Sequence, residues 1–264
     1  MVHDLYEIIH RRRDVRGEFT GEPLPDATLD RILTAAHAAP SVGLSQPWDF
    51  IVVRDTALRG AFHEHVHRER DVYASTLDTE AAERFARIKI DGVLESTLSI
   101  VVTYDPQRGG PAVLGRHAIA DAGLYSVCLA IQNLWLAATA ERLGVGWVSF
   151  YREEFVQDLL GIPADVRPVA WLCLGPVTRL QEVPDLERHG WRSRRSLHLA
   201  RHNEHWGDHP TIGSSPQPST AEPFIDRLLH PSKSPQAASS PVVVLGGPGY
   251  HHLRNTCLAV IDTH

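Results

Sequence analysis

From about His117 to Leu143 apolar residues recur every three or four positions: Leu124, Val127, Cys128, Ile131, Leu134, Trp135 and Ala138. That spacing predicts one long helix, with Gly144 as its stop. A helix that is apolar on nearly every side needs burial on several sides. It must be the central helix of a domain, part of a dimer interface, or both. Its interior polar residues, Gln132 and Asn133, read as hydrogen-bonding groups within the core or interface. The rest of the chain has to wrap this element.

Strands and helices alternate around it without an internal repeat. Phe50-Ile51-Val52-Val53, Ser99 to Tyr104, Gly146 to Phe150 and Val169 to Gly175 read as strands. A helix opens at Pro25-Asp26, where Asp26 can cap it and Leu29, Ile32, Leu33 and Ala36 form one apolar face. It ends before Pro40, since a residue preceding proline prefers extended geometry. Thr56 to about Leu77 and Thr79 to Ile90 are charged helical stretches suited to the surface, where they can cover a site. Another helix runs from Glu153 to Leu160 and closes at Gly161.

Polar motifs concentrate at a few points. Asp4-x-x-Glu7 signals a short N-terminal helix, at whose end Arg11-Arg12-Arg13-Asp14-Val15-Arg16 crowds four guanidinium groups into six positions, with Gly17 as a stop. On this segment alone, basic residues complementing the helix dipole account for the pattern. A guanidinium fork also matches phosphate oxygens, so an anion site is the other reading. Pro40 to Pro47 is a loop of turn formers and hydroxyls. Trp191-Arg192-Ser193-Arg194-Arg195 is a second basic cluster, readable as a solvated surface or as a second clamp.

His63 and His67 stand one helical turn apart. No nearby acid or cysteine completes a metal set, and Arg68 and Arg70 would repel a cation, so a solvated polar helix is the reading and no metal is expected. His202, His205 and His209 lack helical ligand spacing with a matching acid. No Ser-His-Asp set or dinucleotide glycine fingerprint is present.

Composition narrows the classes further. With 264 residues, 43% hydrophobic and 22% charged, the chain has the balance of a soluble globular protein with a large core. The net charge of -6 argues against a general nucleic-acid or anionic-membrane binder. The longest apolar runs look too short to span a bilayer, and the N-terminus lacks a signal-peptide core. Cys128, Cys173 and Cys257 are scattered without C-x-x-C pairing, which suits a reducing cytoplasm. From about Asp208 the composition turns to Pro, Ser, Gly and Ala. A domain over 1–207 and a disordered tail over 208–264 are expected. Within that tail, 224–229 can form a helical turn or two and 242–249 a strand and turn. The tail glycines lack the Lys-Ser/Thr of a P-loop.

Several motifs together resemble the nitroreductase-like FMN proteins: Arg12-Arg13-x-x-Arg16, Ala39-Pro40-Ser41-x-x-x-Ser45-Gln46-Pro47-Trp48, and the long helix ending in Gly144-x-Gly146. The likeness covers about residues 5 to 207. It is closer to the dimethylbenzimidazole-forming branch, which Arg11 to Arg16, Pro40 to Trp48, Leu124-Tyr125-Ser126-Val127, Gln132 to Ala138 and Gly144 to Ser149 resemble. Leu44 and Asp14 stand where most nitroreductases carry asparagine and a small polar residue, and the pairing of Asp14 with Ser149 is similar to that branch's signature.

The resemblance implies an α+β fold, a three-layer α/β/α sandwich with a mostly antiparallel sheet around the long buried helix. It implies a homodimer with flavin lined by both chains. The reaction implied is oxygen-dependent breakdown of reduced FMN, both cofactor and substrate, to 5,6-dimethylbenzimidazole, the lower ligand of cobalamin, and erythrose 4-phosphate. Arg12, Arg13 and Arg16 are then the phosphate anchors, with Arg192 and Arg194 as the second clamp. Ser41, Ser45 and Gln46 serve the polar edge of the flavin. Asp14, flanked by arginines, suits a base better than an acid. Ser149 can hydrogen-bond the flavin; as a strand-end serine it can equally satisfy local backbone. Leu44 and the 56–90 helices are candidates for a cover that refuses NAD(P)H, so reduced FMN would arrive from a separate flavin reductase. A plain NAD(P)H-dependent FMN reductase of quinones or nitroaromatics, and a flavin-binding protein without turnover, remain open beside it.

Overall fold

The computed structural model describes residues 4–209. Residues 4–194 lie in one compact unit and the described residues 195–209 in a second. The expected tail lies outside the described residues from position 210, together with its helical turn, its strand and Cys257.

Four strands form an antiparallel sheet in the order β1 (Trp48–Val53), β2 (Leu98–Tyr104), β4 (Arg167–Pro176), β3 (Leu143–Val148). Alternation splits the side chains between two cores. Ile100, Val102, Leu172, Leu174 and Val145 face one layer with α2 (Asp26–His37) and α5 (Ala122–Ala140). Val53, Val101, Trp171, Cys173 and Val148 face the other, against α3 (Thr56–Ala74), α4 (Thr79–Ala86) and α6 (Glu153–Leu160). On that side Phe62 lies flat on Trp171, with ring centroids 3.5 Å apart. Both faces of the sheet are covered by helices, the expected α+β sandwich.

The long helix is real but shorter than its periodicity suggested. It begins at Ala122 and ends at Ala140. Residues before it are turns, and Gly123 lies so close to Tyr104 that a Cβ there would meet its Oη at 2.7 Å. Gly144 does not stop the helix: β3 has already begun at Leu143. Contrary to the reading of the apolar runs, α5 is long and apolar enough, by length and composition, to cross a membrane. Here it is a core helix, packed against α2 and the sheet, with Val127, Ala130, Leu134 and Ala138 fully buried. Tyr125 and Leu129 stay exposed, at 56% and 46%, so part of one face of α5 has no cover among the described residues.

Two local expectations change. Asp26 is the first residue of α2 rather than its side-chain cap, and its carboxylate pairs with Arg54 at 2.6 Å. The N-terminal helix α1 (Leu5–Arg11) is capped by Asp4, whose carboxylate accepts from the Tyr6 N–H. It ends at Arg11 with Arg12 as its C-cap, the Arg12 N–H donating to the Ile8 carbonyl, so the cluster does begin at a helix end, as expected, while Arg13 and Arg16 lie beyond it. The chain past Arg12 runs extended and bridges β3 in parallel at Asp14 and Val145, with the Val15 N–H donating to the Val145 carbonyl at 2.9 Å.

Candidate functional site

That bridge decides what the arginine cluster does. Holding residues 14–16 beside β3 places Asp14 against the backbone of Trp147 and two residues short of Ser149, the first residue beyond the strand. Gly146 makes the approach possible, since a Cβ there would collide with the Val15 carbonyl.

Asp14 is gripped on both oxygens. Arg16 donates to Oδ1 and Oδ2, each at 2.5 Å, and the Trp147 N–H donates to Oδ1 at 2.9 Å. The two Arg16 nitrogens also donate to the Val15 and Trp147 carbonyls, at 3.1 and 2.7 Å. Every Nη donor of Arg16 therefore has an intramolecular acceptor. In this geometry Arg16 positions Asp14 and has only Nε–H left for a ligand.

Arg13 is committed to the main chain as well, donating to the His10, Arg12 and Glu182 carbonyls, while its buried Nε lacks a partner. Arg12 is different. Its guanidinium lies over the Trp135 ring, 4.8 Å from the centroid, and the Trp135 indole N–H donates to the Arg13 carbonyl at 3.1 Å. Burial lowers the pKa of Arg12, with Asp14 opposing the shift and Arg194 adding to it. Burial lowers Arg13 too, followed by the charges of Arg194 and Arg12. Guanidinium groups stay protonated in proteins. Two partly desolvated cations, with exposed Arg194 close to both, are thus arranged so that an anion among them is favoured.

These groups line a cavity of about 510 Å³. At its polar end stand Arg12, Arg13, Asp14, Arg16, Lys89 and Arg194. Asp185 also lines it, and the rest of the lining is largely apolar: Tyr73 from α3, Phe85 from α4, Ile88 and Ile90, Trp147 of β3, Phe150 after it, Pro184, Leu186 and Trp191. Ser149 is exposed on the same wall. The charged helices expected to form a cover do reach the site, through Tyr73 and Phe85 and the segment after α4.

Six of the ten expected site residues therefore meet in one cavity: Asp14, Ser149, Arg12, Arg13, Arg16 and Arg194. Arg192 is exposed and does not line it. The Ser41–Gln46 loop is elsewhere. Its Val42 N–H donates to Ser126 Oγ at 3.1 Å, near the start of α5, whereas the arginines meet α5 at Trp135. Nine helical residues separate those contacts by about 14 Å. Within one chain Ser41, Ser45 and Gln46 do not share the arginine cavity. The Ser41 hydroxyl accepts from the Gln46 N–H at 3.0 Å, as a turn-capping serine does, and Ser45 Oγ is buried without a partner.

That loop is also strained: Gly43, Leu44 and Gln46 have φ of 54°, 50° and 42°. Left-handed Leu and Gln cost of order 1–2 kcal/mol each, and such strain concentrates at ligand-handling sites. Trp48 anchors it, buried in the core with its indole N–H on His37 Nδ1 at 3.1 Å.

Sequence reading placed the 56–90 helices and the segments of Trp147 and Trp191 among the candidates but did not single out the apolar side chains that line the cavity, which come from separate segments. It also missed that an acid joins the α3 histidines, since Asp91 lies 28 residues beyond His63.

Comparison with known proteins bears on this arrangement. Residues 9–176 match the family model described as "Nitroreductase family". A 5,6-dimethylbenzimidazole synthase of Rhodospirillum rubrum is 40% identical over 190 residues, 72% of this chain and 90% of that protein. One from Rhodobacter capsulatus is 36% identical over 188 residues, 71% of this chain and 90% of that protein. Among solved structures, oxidized iodotyrosine deiodinase bound to FMN and 3-iodo-L-tyrosine superposes with a TM-score of 0.58 at 24% identity, covering 69% of this chain and 94% of that one.

Proposed function

Because the chain belongs to the nitroreductase family, alongside its 5,6-dimethylbenzimidazole synthases, we propose that it binds FMN in the arginine cavity and breaks reduced FMN down with dioxygen to 5,6-dimethylbenzimidazole and erythrose 4-phosphate. The observation that carries the reading is Asp14, held on both oxygens by Arg16 and the Trp147 N–H beside Ser149, at the polar end of that cavity.

The cavity suits FMN in size and in polarity. Its volume falls within the range of small-molecule sites. A cationic end suits a phosphate, and an aromatic and aliphatic remainder suits a flat ring system. Arg12 and Arg194 hold the phosphate, with Arg13 offering its unpartnered Nε. Arg192 is a weaker candidate for the clamp. When bound, reduced FMN supplies an electron-rich ring that reacts with dioxygen.

The remaining work belongs to this chain's own groups. Asp14 accepts a proton, and Arg16 and the Trp147 amide fix where it stands. The Ser149 hydroxyl, able to donate and accept, orients the reacting edge of the ring. Tyr73, Phe85 and Trp191 exclude water and a nicotinamide, so electrons arrive as reduced FMN from a separate flavin reductase. The two thiols among the described residues, Cys128 and Cys173, are unpaired, consistent with a cytoplasmic setting.

The working unit is a homodimer. Its seam is the uncovered face of α5, and the strained Ser41–Gln46 loop of one copy completes the flavin site of the other, with Leu44, 65% exposed, as part of the cover. Residues 1–207 form the flavin-handling part.

The test is direct. Mix the anaerobic protein with reduced FMN, admit air, and separate the products. Dimethylbenzimidazole supports the reading. Reoxidised FMN alone points to a carrier, and rapid NADPH turnover with nitro compounds to a reductase. Mixing Asp14→Asn with Gln46→Ala chains restores part of the product if the sites are shared, and restores none if each chain is self-sufficient.

A further inference from the structure

The second core layer holds a side-chain cluster that the flavin chemistry leaves unused. On α3, His63 and His67 stand one turn apart, their rings tilted at 53° with centroids 4.3 Å apart. Both face the carboxylate of Asp91, which is only 3% exposed. His63 Nδ1 lies 3.2 Å from Oδ1 and His67 Nε2 lies 3.2 Å from Oδ2. The three donor atoms all fall within 4.8 Å of one another. The Val93 N–H, donating to Asp91 Oδ1 at 3.1 Å, fixes the carboxylate from behind.

We propose that His63, His67 and Asp91 bind one divalent transition-metal ion of the zinc class, a site separate from the flavin cavity. Zinc held by nitrogen and oxygen at about 2.0–2.1 Å places adjacent ligand atoms about 3.3 Å apart in a tetrahedron. Each imidazole already stands 3.2 Å from one oxygen of the carboxylate, Oδ1 for His63 and Oδ2 for His67, so one His–Asp edge is in place and the other closes by a small turn of the carboxylate. Two imidazoles on one helical turn and an acid from another segment form a three-ligand set that leaves a position for water. The site is reachable, since the side chains of His67 and His63 are 47% and 29% exposed. Of the two cations that seemed to forbid a metal, Arg68 is exposed to solvent, and Arg70 is directed elsewhere: its guanidinium lies over Phe85, 5.4 Å from the centroid, and pairs with Asp71.

The position gives the ion a consequence. Ile88, Lys89 and Ile90 line the flavin cavity, and Asp91 follows them directly. Gly92 then packs against the Arg16 carbonyl, at 2.7 Å from a built Cβ. An ion bridging Asp91 to α3 ties that cavity wall to the helix carrying Tyr73. Metal occupancy stiffens the wall without touching a reacting group.

The experiment titrates Zn²⁺ calorimetrically into the full chain after EDTA dialysis, beside His63→Gln and His67→Gln. The chain has 16 histidines, so the comparison with the variants defines the site. Wild type is expected to show one tight site per chain, weakened at least about 100-fold in either variant, since even losing an outer-shell partner costs 10–100-fold. Co²⁺ should give the wild type a visible tetrahedral spectrum that both variants lack, and Zn²⁺ should slow amide exchange over residues 88–93 in wild type alone. Both variants alter part-exposed side chains, and circular dichroism checks their folding. Equal Zn²⁺ isotherms and equal Co²⁺ spectra in the three proteins overturn the proposal.

Discussion

Gly146→Ala drives a methyl group into the segment that carries Asp14. The added Cβ falls well inside 3.0 Å of the Val15 carbonyl oxygen and 2.8 Å from Arg16 Nη1. Backbone cannot rotate away as a side chain can, so residues 14–16 must withdraw from β3. Three hydrogen bonds bridge that gap: Val15 N–H to Val145 O at 2.9 Å, Trp147 N–H to Asp14 at 2.9 Å, and Arg16 to Trp147 O at 2.7 Å. One is neutral, worth about 1 kcal/mol, and two involve a charge, worth about 1.5–3 kcal/mol each. Complete loss would cost about 4–7 kcal/mol, and partial retention about 2–5 kcal/mol. For a domain of this size that lowers Tm by roughly 5–15 °C. On the proposed mechanism, displacing Asp14 by even an ångström also takes the proton acceptor out of position, which can cost about 10²-fold in rate. The assay pairs a thermal melt with dimethylbenzimidazole yield from reduced FMN in air. Gly60→Ala is the control, since nothing lies within 4 Å of its built Cβ and it sits inside α3; it should hold or slightly raise Tm. A Gly146→Ala protein with the Tm and yield of wild type would refute the claim that close packing on β3 positions Asp14.

Other expected outcomes test separate parts of the site. Asp14→Asn and Ser149→Ala should keep FMN binding, followed by flavin fluorescence, yet form no dimethylbenzimidazole; wild-type yield from either removes that residue from the mechanism. Arg12→Met should weaken FMN by about 10–100-fold, the worth of one charge-assisted bond, while leaving riboflavin affinity nearly unchanged. An equal loss for both flavins would mean that Arg12 supports the ring rather than the phosphate. His65 supplies a pH test: burial lowers its pKa, and its Nε2 accepts from the Arg152 N–H at 3.0 Å, so the fold requires it unprotonated. Its contribution is present above the unfolded value of about 6.5 and is lost as pH falls toward the depressed folded value. Wild-type Tm should therefore drop between pH 7 and 5 more steeply than that of His65→Gln, and parallel slopes would clear His65.

The layered fold was legible because it rests on periodicity. The strands at Ser99–Tyr104 and Val169–Gly175 and the helix at Glu153–Leu160 follow from local apolar spacing, which tertiary context had no reason to override. The arginine segment was read correctly as far as the helix end at Arg11 and Arg12, but nothing local showed that residues 14–16 leave it. What pulls it into a bridge with β3 is the missing side chain at Gly146, far along the chain. The same limit hid Asp91 from the histidines of α3. A contact between distant segments leaves no spacing to read.

The distance between the Ser41–Gln46 loop and the arginines carries the argument one step further. The loop spends backbone strain to hold Leu44 exposed and Gln46 left-handed, although neither reaches the cavity of its own chain. Strain of that kind persists only where surrounding structure over-determines it. Trp48 on His37 and the Val42 bond to Ser126 supply the fixing contacts here. This firmly fixed loop, beside a helix face with uncovered Tyr125 and Leu129, holds Leu44 out to solvent and leaves Gln46 part-exposed, while Ser45 is buried. In the proposed dimer a second copy brings the arginine cavity and the loop of the first brings Gln46 to it. Mixing Asp14→Asn with Gln46→Ala chains is the experiment in which that arrangement either restores product or fails to.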